Sequence, residues 1–151
     1  MPILTYMCEI EAPLQQVWEF HNNVESLFVL TPPDKHAKLE GAAEPMRVGV
    51  VYHIKVRQFG IIPIQMQSKI TDYTPPTGFD DIQVKGPFAA WKHQHRFTAL
   101  SDTRTRLTDT VTYSVPFGFL GRIADALFVR RDLDKMFAYR HKVTRQMLEK
   151  S

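Results

Sequence analysis

The chain has 151 residues, 44% of them apolar, and a formal net charge of +3, the size and make-up of one domain spanning 1–151 with a core that needs no disulfides. Cys8 is the only cysteine, which excludes an internal disulfide framework and points to a reducing, cytoplasmic setting. No run reaches the roughly 20 apolar residues of a membrane helix, and the first ten residues lack the basic-then-apolar order of a signal peptide, so an integral membrane or secreted protein is not expected.

Residues 5–10 are rich in strand formers and read as a first strand. Pro13 suits the first turn of a helix, and Leu14, Val17, Trp18 and His21 recur three or four apart until Asn22-Asn23. A second short helix over 25–30 is stopped by Thr31-Pro32-Pro33, because a residue before proline is pushed out of the helical region. Residues 36–40 form a short strand candidate. The middle of the chain is strand signal throughout. Residues 50–59 alternate, with Tyr52, Ile54 and Val56 on one side; residues 62–73 put Ile62, Ile64, Met66, Ser68 and Ile70 on one face. Strands over 79–84, 90–100 and 105–115 follow, each bounded by Gly, Pro or Asp turns. Their close spacing without intervening helices predicts an antiparallel meander.

After Pro116 the period becomes helical. Leu120, Ile123, Leu127, Leu133, Met136, Phe137, Val143, Met147 and Leu148 trace an apolar stripe up to Lys150, with a bend or break expected at Arg130-Arg131-Asp132. The basic excess of the chain sits in this segment from Arg122 onward, where a solvated helix face accounts for it and nucleic acid is not expected. The fold class expected is α+β.

The chemistry concentrates in residues 79–113. Trp91, His93, His95 and Phe97 share one strand face, and the aromatic residues at its ends turn both histidines inward. The same logic turns Leu107, Asp109, Val111 and Tyr113 inward on the next strand. A three-residue turn at Ser101-Asp102-Thr103 sets Phe97 opposite Leu107, His95 opposite Asp109, His93 opposite Val111 and Trp91 opposite Tyr113. A turn near Pro87-Phe88-Ala89 sets Asp81 opposite His95 and Gln83 opposite His93, so a row Asp81–His95–Asp109 crosses three strands. Flanking carboxylates favour imidazolium and burial favours imidazole, which makes His95, assisted by Asp109, the acid–base candidate. A polar network that only fixes strand register is the other reading. His-x-His is also the spacing of some zinc sites, and Asp109 or Asp81 could add a third ligand, but no second His or Cys cluster accompanies it, and neither a metal nor an organic cofactor is expected. Gly86-Pro87-Phe88 reads as a turn with an exposed aromatic tip. Phosphate-cradling glycine loops, dinucleotide fingerprints and nucleophile elbows are absent.

The run Phe79, Asp81, Gln83, Gly86-Pro87-Phe88, Trp91-x-His93-x-His95-x-Phe97 and Leu107-x-Asp109-x-Val111 resembles the SRPBCC superfamily, in particular a bacterial ligand-binding branch. The likeness extends from Glu11-Ala12-Pro13 to Met136-Phe137-x-x-Arg140. The superfamily includes START lipid-transfer domains, birch-pollen-allergen-like proteins and polyketide cyclases. The resemblance implies a helix-grip fold: a seven-stranded antiparallel sheet wrapped around the C-terminal helix, two short helices after strand 1, and a cavity between sheet and helix. It implies binding of a small hydrophobic or amphipathic molecule. Tyr52, Ile54, Ile64 and Met66 would line the cavity from the middle strands. Trp91, Phe97, Val111 and Tyr113 would line it from the last two strands, and Met136 and Phe137 from the helix. Asp81, Gln83, His93, His95 and Asp109 would orient the ligand's polar end. Two alternatives stay open: a cyclase or dehydratase working through His95 and Asp109, and a protein-interaction module using the basic helix. The expected partner is a small molecule, not nucleic acid or an integral membrane contact, and the expected state a monomer or weak homodimer.

Overall fold

Strict alternation builds the sheet. Along the last strand, Thr105, Leu107, Asp109, Val111 and Tyr113 are buried and every residue between them is half-exposed, as a period-two pleat with one covered face requires. The computed structural model describes residues 1–58 and 61–149; Phe59 and Lys150, at the ends of two expected elements, lie outside the described residues. The elements are β1 (Ile3–Ile10), α1 (Leu14–Asn22), α2 (Ser26–Leu30), a 3-10 turn (Pro33–Lys35), β2 (Lys38–Glu40), β3 (Val51–Gln58), β4 (Ile62–Thr74), β5 (Gly78–Lys85), β6 (Ala90–Ala99), β7 (Thr105–Ser114), α3 (Gly118–Ala124), a π-helical turn (Asp125–Val129) and α4 (Arg130–Leu148). All neighbouring strands are antiparallel in the order β1-β7-β6-β5-β4-β3-β2, so the first strand closes against the last. This is the expected α+β helix-grip architecture. Among the described residues no helix is long and apolar enough to cross a membrane.

Two apolar clusters fill the space under the sheet. One gathers Ile10, Val17, Trp18, Tyr52, Ile54, Ile70, Phe79, Phe97 and Leu107, so α1 packs on the strand faces; the other joins Val111 and Tyr113 to Leu133 and Phe137 of α4. Each fully buried side chain of this size contributes about 1.5–3 kcal/mol relative to an exposed one. Hydroxyls tie the layers: Thr105 Oγ1 donates to the Ala12 carbonyl at 2.8 Å, and Tyr6, stacked on Phe137 with centroids 4.6 Å apart, donates to Asp134 Oδ1 at 2.7 Å.

Three expectations change. The C-terminal helix does not break at Arg130-Arg131-Asp132; it runs on through the π turn immediately before them. Beyond that turn the stripe holds, with Leu133 and Phe137 buried, but ahead of it Leu120, Ile123 and Leu127 are 70%, 42% and 54% exposed. The extra residue of a π turn puts the upstream apolar positions out of phase with the sheet-facing side. Phe88 is not an exposed tip: it folds back on Trp91 and Tyr113, with ring centroids 4.8 and 5.8 Å away.

The third change is a register. The β6–β7 pairs are those expected, from Phe97↔Leu107 through Trp91↔Tyr113. In β5–β6, however, Asp81 stands opposite His93 and Phe79 opposite His95. The ladder stops at Ile82↔Lys92, and Gln83 turns to clamp the loop: its Nε2 donates to the Phe88 carbonyl at 2.8 Å, and its Oε1 accepts from the Phe88 amide at 3.1 Å. That shift is two residues, an even number, so Asp81 keeps its face.

Gly78 opens β5 where an added Cβ would stand 2.2 Å from the His95 carbonyl oxygen, which is backbone and cannot swing aside. Gly78→Ala is expected to push β5 off β6 at a cost of about 1–3 kcal/mol, read as a lower urea midpoint by circular dichroism.

Candidate functional site

Between the two apolar clusters the inner faces of β5, β6 and β7 bring together Asp81, His93, His95 and Asp109, and α4 lays Arg140 and His141 over them. Asp109 is shared. Its Oδ1 accepts from His93 Nε2 at 2.7 Å and its Oδ2 from His141 Nε2 at 2.7 Å, while His95 Nδ1 stands 3.5 Å from Oδ1. Asp81 Oδ2 accepts from His95 Nε2 at 2.9 Å and lies 4.0 Å from His93 Nδ1; Ser68 Oγ donates to its Oδ1 at 3.2 Å. The two imidazoles stack with centroids 3.6 Å apart, and Phe79 stacks on His95 at 3.9 Å. The row Asp81–His95–Asp109 therefore exists, reached diagonally from β5 rather than straight across.

Burial sets the charges here and pairing overrules it at the carboxylates. Burial pushes Asp109 upward, but hydrogen bonds from His141 and His93 and the fields of His93 and His95 hold it well below the usual carboxylate range. Asp81 is likewise pushed up by burial, yet held below its ordinary value by the His95 hydrogen bond, both histidines and Ser68. His95 is lowered, by burial first and then by His93, against the pull of the two carboxylates. For His141 burial acts downward, but the bond to Asp109 and the neighbouring Cys8 raise it to about 9, so it is the cation that balances Asp109. His21 on α1 is driven by burial to about 4, and its Nδ1–H donates to the Val17 carbonyl at 2.7 Å.

Arg140 stands apart. Among the described residues its Nε is the one buried side-chain nitrogen or oxygen without a hydrogen-bond partner. The guanidinium lies 5.4 Å from the centre of the Phe137 ring, and burial lowers its pKa against the opposing charges of Asp109 and Asp81.

The apolar candidates divide. Tyr52, Ile54 and Phe97, with Met66 against them, belong to the first cluster; Val111, Tyr113 and Phe137, with Trp91 and Met136, belong to the second. Ile64 is half-buried in β4, opposite Val56. Gln83 serves the turn. Two concavities are open surface grooves. One lies beside Phe28 and Leu39; the other, about 560 Å³, runs between β1 and α4 with Cys8 and His141 in its wall. Sequence reasoning passed over His141 and Arg140, although they follow Phe137 by four and three residues and so share its helix face. It also used His21 only as a member of a helical stripe.

Two outcomes follow from the shared carboxylate. Asp109→Asn leaves the His141 cation unpaired under the sheet and is expected to cost about 3–5 kcal/mol in urea unfolding. Because His141 titrates at about 9 when folded and near 6.5 when unfolded, its contribution is complete below pH 6.5 and is lost as pH rises through 9. His21, neutral when folded to about pH 4, takes up its proton on unfolding, so stability also falls from pH 6.5 toward 4. Urea midpoints across this range should trace a dome, with its alkaline limb flattened in His141→Gln.

Residues 8–148 match the family described as a domain of unknown function, DUF8410, and no curated protein matches the sequence. Among solved structures, protein CV1439 from Chromobacterium violaceum superposes with a TM-score of 0.77 at 14% identity, over 99% of this chain and 98% of that one. A START superfamily protein from Mycobacterium smegmatis gives 0.74 at 11% identity, over 97% of both chains. The Zhui aromatase/cyclase from Streptomyces sp. R1128 gives 0.70 at 16% identity, over 97% of this chain and 95% of that one. At such identities the likeness is one of fold. The chain thus belongs to the DUF8410 family and has the SRPBCC-type helix-grip fold.

Proposed function

We propose that this chain binds one small amphipathic molecule between the sheet and α4, with an oxygen acceptor of the ligand set against Arg140. The observation that carries this reading is the buried Arg140 Nε without a partner. A buried donor left unpaired costs about 1–3 kcal/mol, and a carboxylate, phenolate or carbonyl oxygen would remove that cost. Trp91 and Met136, both half-buried at the edge of the second cluster, and Ile64 and Met66 on β4 are the apolar side chains with room to move aside for the ligand body. Asp81, His93, His95 and Asp109 then sit beside its polar end.

The aromatase/cyclase fold likeness admits a catalytic version of the same site, favoured by one observation: burial holds His95 in its neutral form, so it can accept a proton from an acidic carbon. The balance of residues favours binding, since the cluster holds no activated nucleophile.

Protein purified from its own host and examined by native mass spectrometry is expected to carry one retained organic molecule. In fluorescence titrations 2-naphthoate should bind, and Arg140→Leu should weaken it by about tenfold while leaving neutral 2-methylnaphthalene unchanged. No retained mass together with no saturable binding of either probe up to about 1 mM would overturn the proposal.

A further inference from the structure

We propose that Asp81, His93 and His95 form a binding site for one divalent first-row transition metal ion, held by Asp81 Oδ2, His93 Nδ1 and His95 Nε2. This departs from the expectation, drawn from the lack of a second His or Cys cluster, that the chain takes no metal. The third donor is Asp81, one of the two carboxylates weighed for that place in the sequence.

The distances suit a metal. The donor atoms of the three residues lie within 4.8 Å of one another, with His95 Nε2 at 2.9 Å and His93 Nδ1 at 4.0 Å from Asp81 Oδ2. Metal bonds of about 2.0–2.2 Å at tetrahedral angles put neighbouring donors roughly 3.4 Å apart, between those two values. Two imidazoles and one carboxylate on one face are a donor set used by zinc and by non-haem iron.

The supporting groups are also in place. A metal-bound histidine is held by an acceptor on its other ring nitrogen, which fixes ring and tautomer. Asp109 Oδ1 does this for both: it takes His93 Nε2–H at 2.7 Å and faces His95 Nδ1 at 3.5 Å. His93 Nδ1 is thereby left with its lone pair on the Asp81 side. On binding, the proton that His95 Nε2 now shares with Asp81 moves to Nδ1, the other neutral tautomer, where it faces Asp109. Ser68 Oγ holds the oxygen of Asp81 that the metal does not use, at 3.2 Å. His141, hydrogen-bonded to Asp109 Oδ2 at 2.7 Å, anchors the supporting carboxylate in turn. A purely structural network needs none of this division between donor nitrogens on one side and held nitrogens on the other.

The inference is independent of the organic ligand, and its test uses metal alone. Full-length protein, stripped with a chelator, is titrated with Zn²⁺ by calorimetry and with Co²⁺ by visible absorption. One equivalent is expected to bind. The Co²⁺ bands should be those of a four- or five-coordinate nitrogen and oxygen site. His95→Gln and Asp81→Asn are expected to lower affinity by at least about 100-fold, and Asp109→Asn by about 10–100-fold with the stoichiometry kept. His36→Ala and His53→Ala, which alter exposed histidines away from the cluster, should leave binding unchanged. Absence of binding in the wild type, an octahedral Co²⁺ spectrum, or loss of binding with His36 or His53 would overturn the proposal. Should the cluster variants fail to fold, the wild-type Co²⁺ spectrum decides alone. Metal binding with neither a retained mass nor saturable binding of either naphthalene probe sinks only the ligand reading, and ligand binding without metal binding sinks only this one.

Discussion

One carboxylate joins the two layers of this molecule. Asp109 projects from β7 and is gripped by β6 through His93 and by α4 through His141. Apolar packing alone would let a helix slide or rotate over a sheet at modest cost, because dispersion contacts have little direction. Two charge-assisted bonds from opposite layers to one anion do not allow that. The rotation of α4, and with it the placement of Arg140 and Phe137, depends on this contact. So does the stacking of the two β6 imidazoles.

The polar cluster also explains why the interior has two apolar cores instead of one. Trp18, Phe79 and Phe97 close one end, and Tyr113, Phe137 and Leu133 the other, with the ionisable groups as the seam. Buried charge is tolerated there because nearly every polar atom has a partner; among the described residues the exception is Arg140 Nε. Aromatic rings screen the seam: Phe79 lies on His95 and Phe137 meets the edge of His93 at 5.2 Å. The low local dielectric raises the stakes of every polar contact in the seam.

Much of this was legible in the sequence, for a physical reason. Strand alternation is a strict period, so Trp91, His93, His95 and Phe97 had to share a face, and Phe97↔Leu107 followed from a short turn. The β5–β6 pairing was misjudged because Gln83 closes its loop with a side chain, and no residue pattern announces that bond. Arg140 and His141 were overlooked because charged residues on a helix usually face water, and only a tertiary partner such as Asp109 reverses that preference. The apolar stripe from Leu120 was read as interrupted at Arg130-Arg131-Asp132; the irregularity is instead the π turn just before them, whose Asp125 accepts from the Tyr113 hydroxyl at 2.6 Å, a tertiary bond that no residue pattern announces.

The same turn decides where the chain tolerates a change of length. A π turn is an α-helix carrying one surplus residue, and each residue is worth about 100° of rotation. A one-residue deletion within Asp125–Val129 would restore the ordinary helical step and swing Gly118–Ala124 about the axis by that angle. Everything from Arg130 onward would keep its phase against the sheet. Insertions and deletions accumulating in this family at that point would therefore re-aim the exposed Leu120 and Ile123 surface while leaving Phe137, Arg140 and His141 where they are. The surface at that end and the interior at the other can diverge at independent rates.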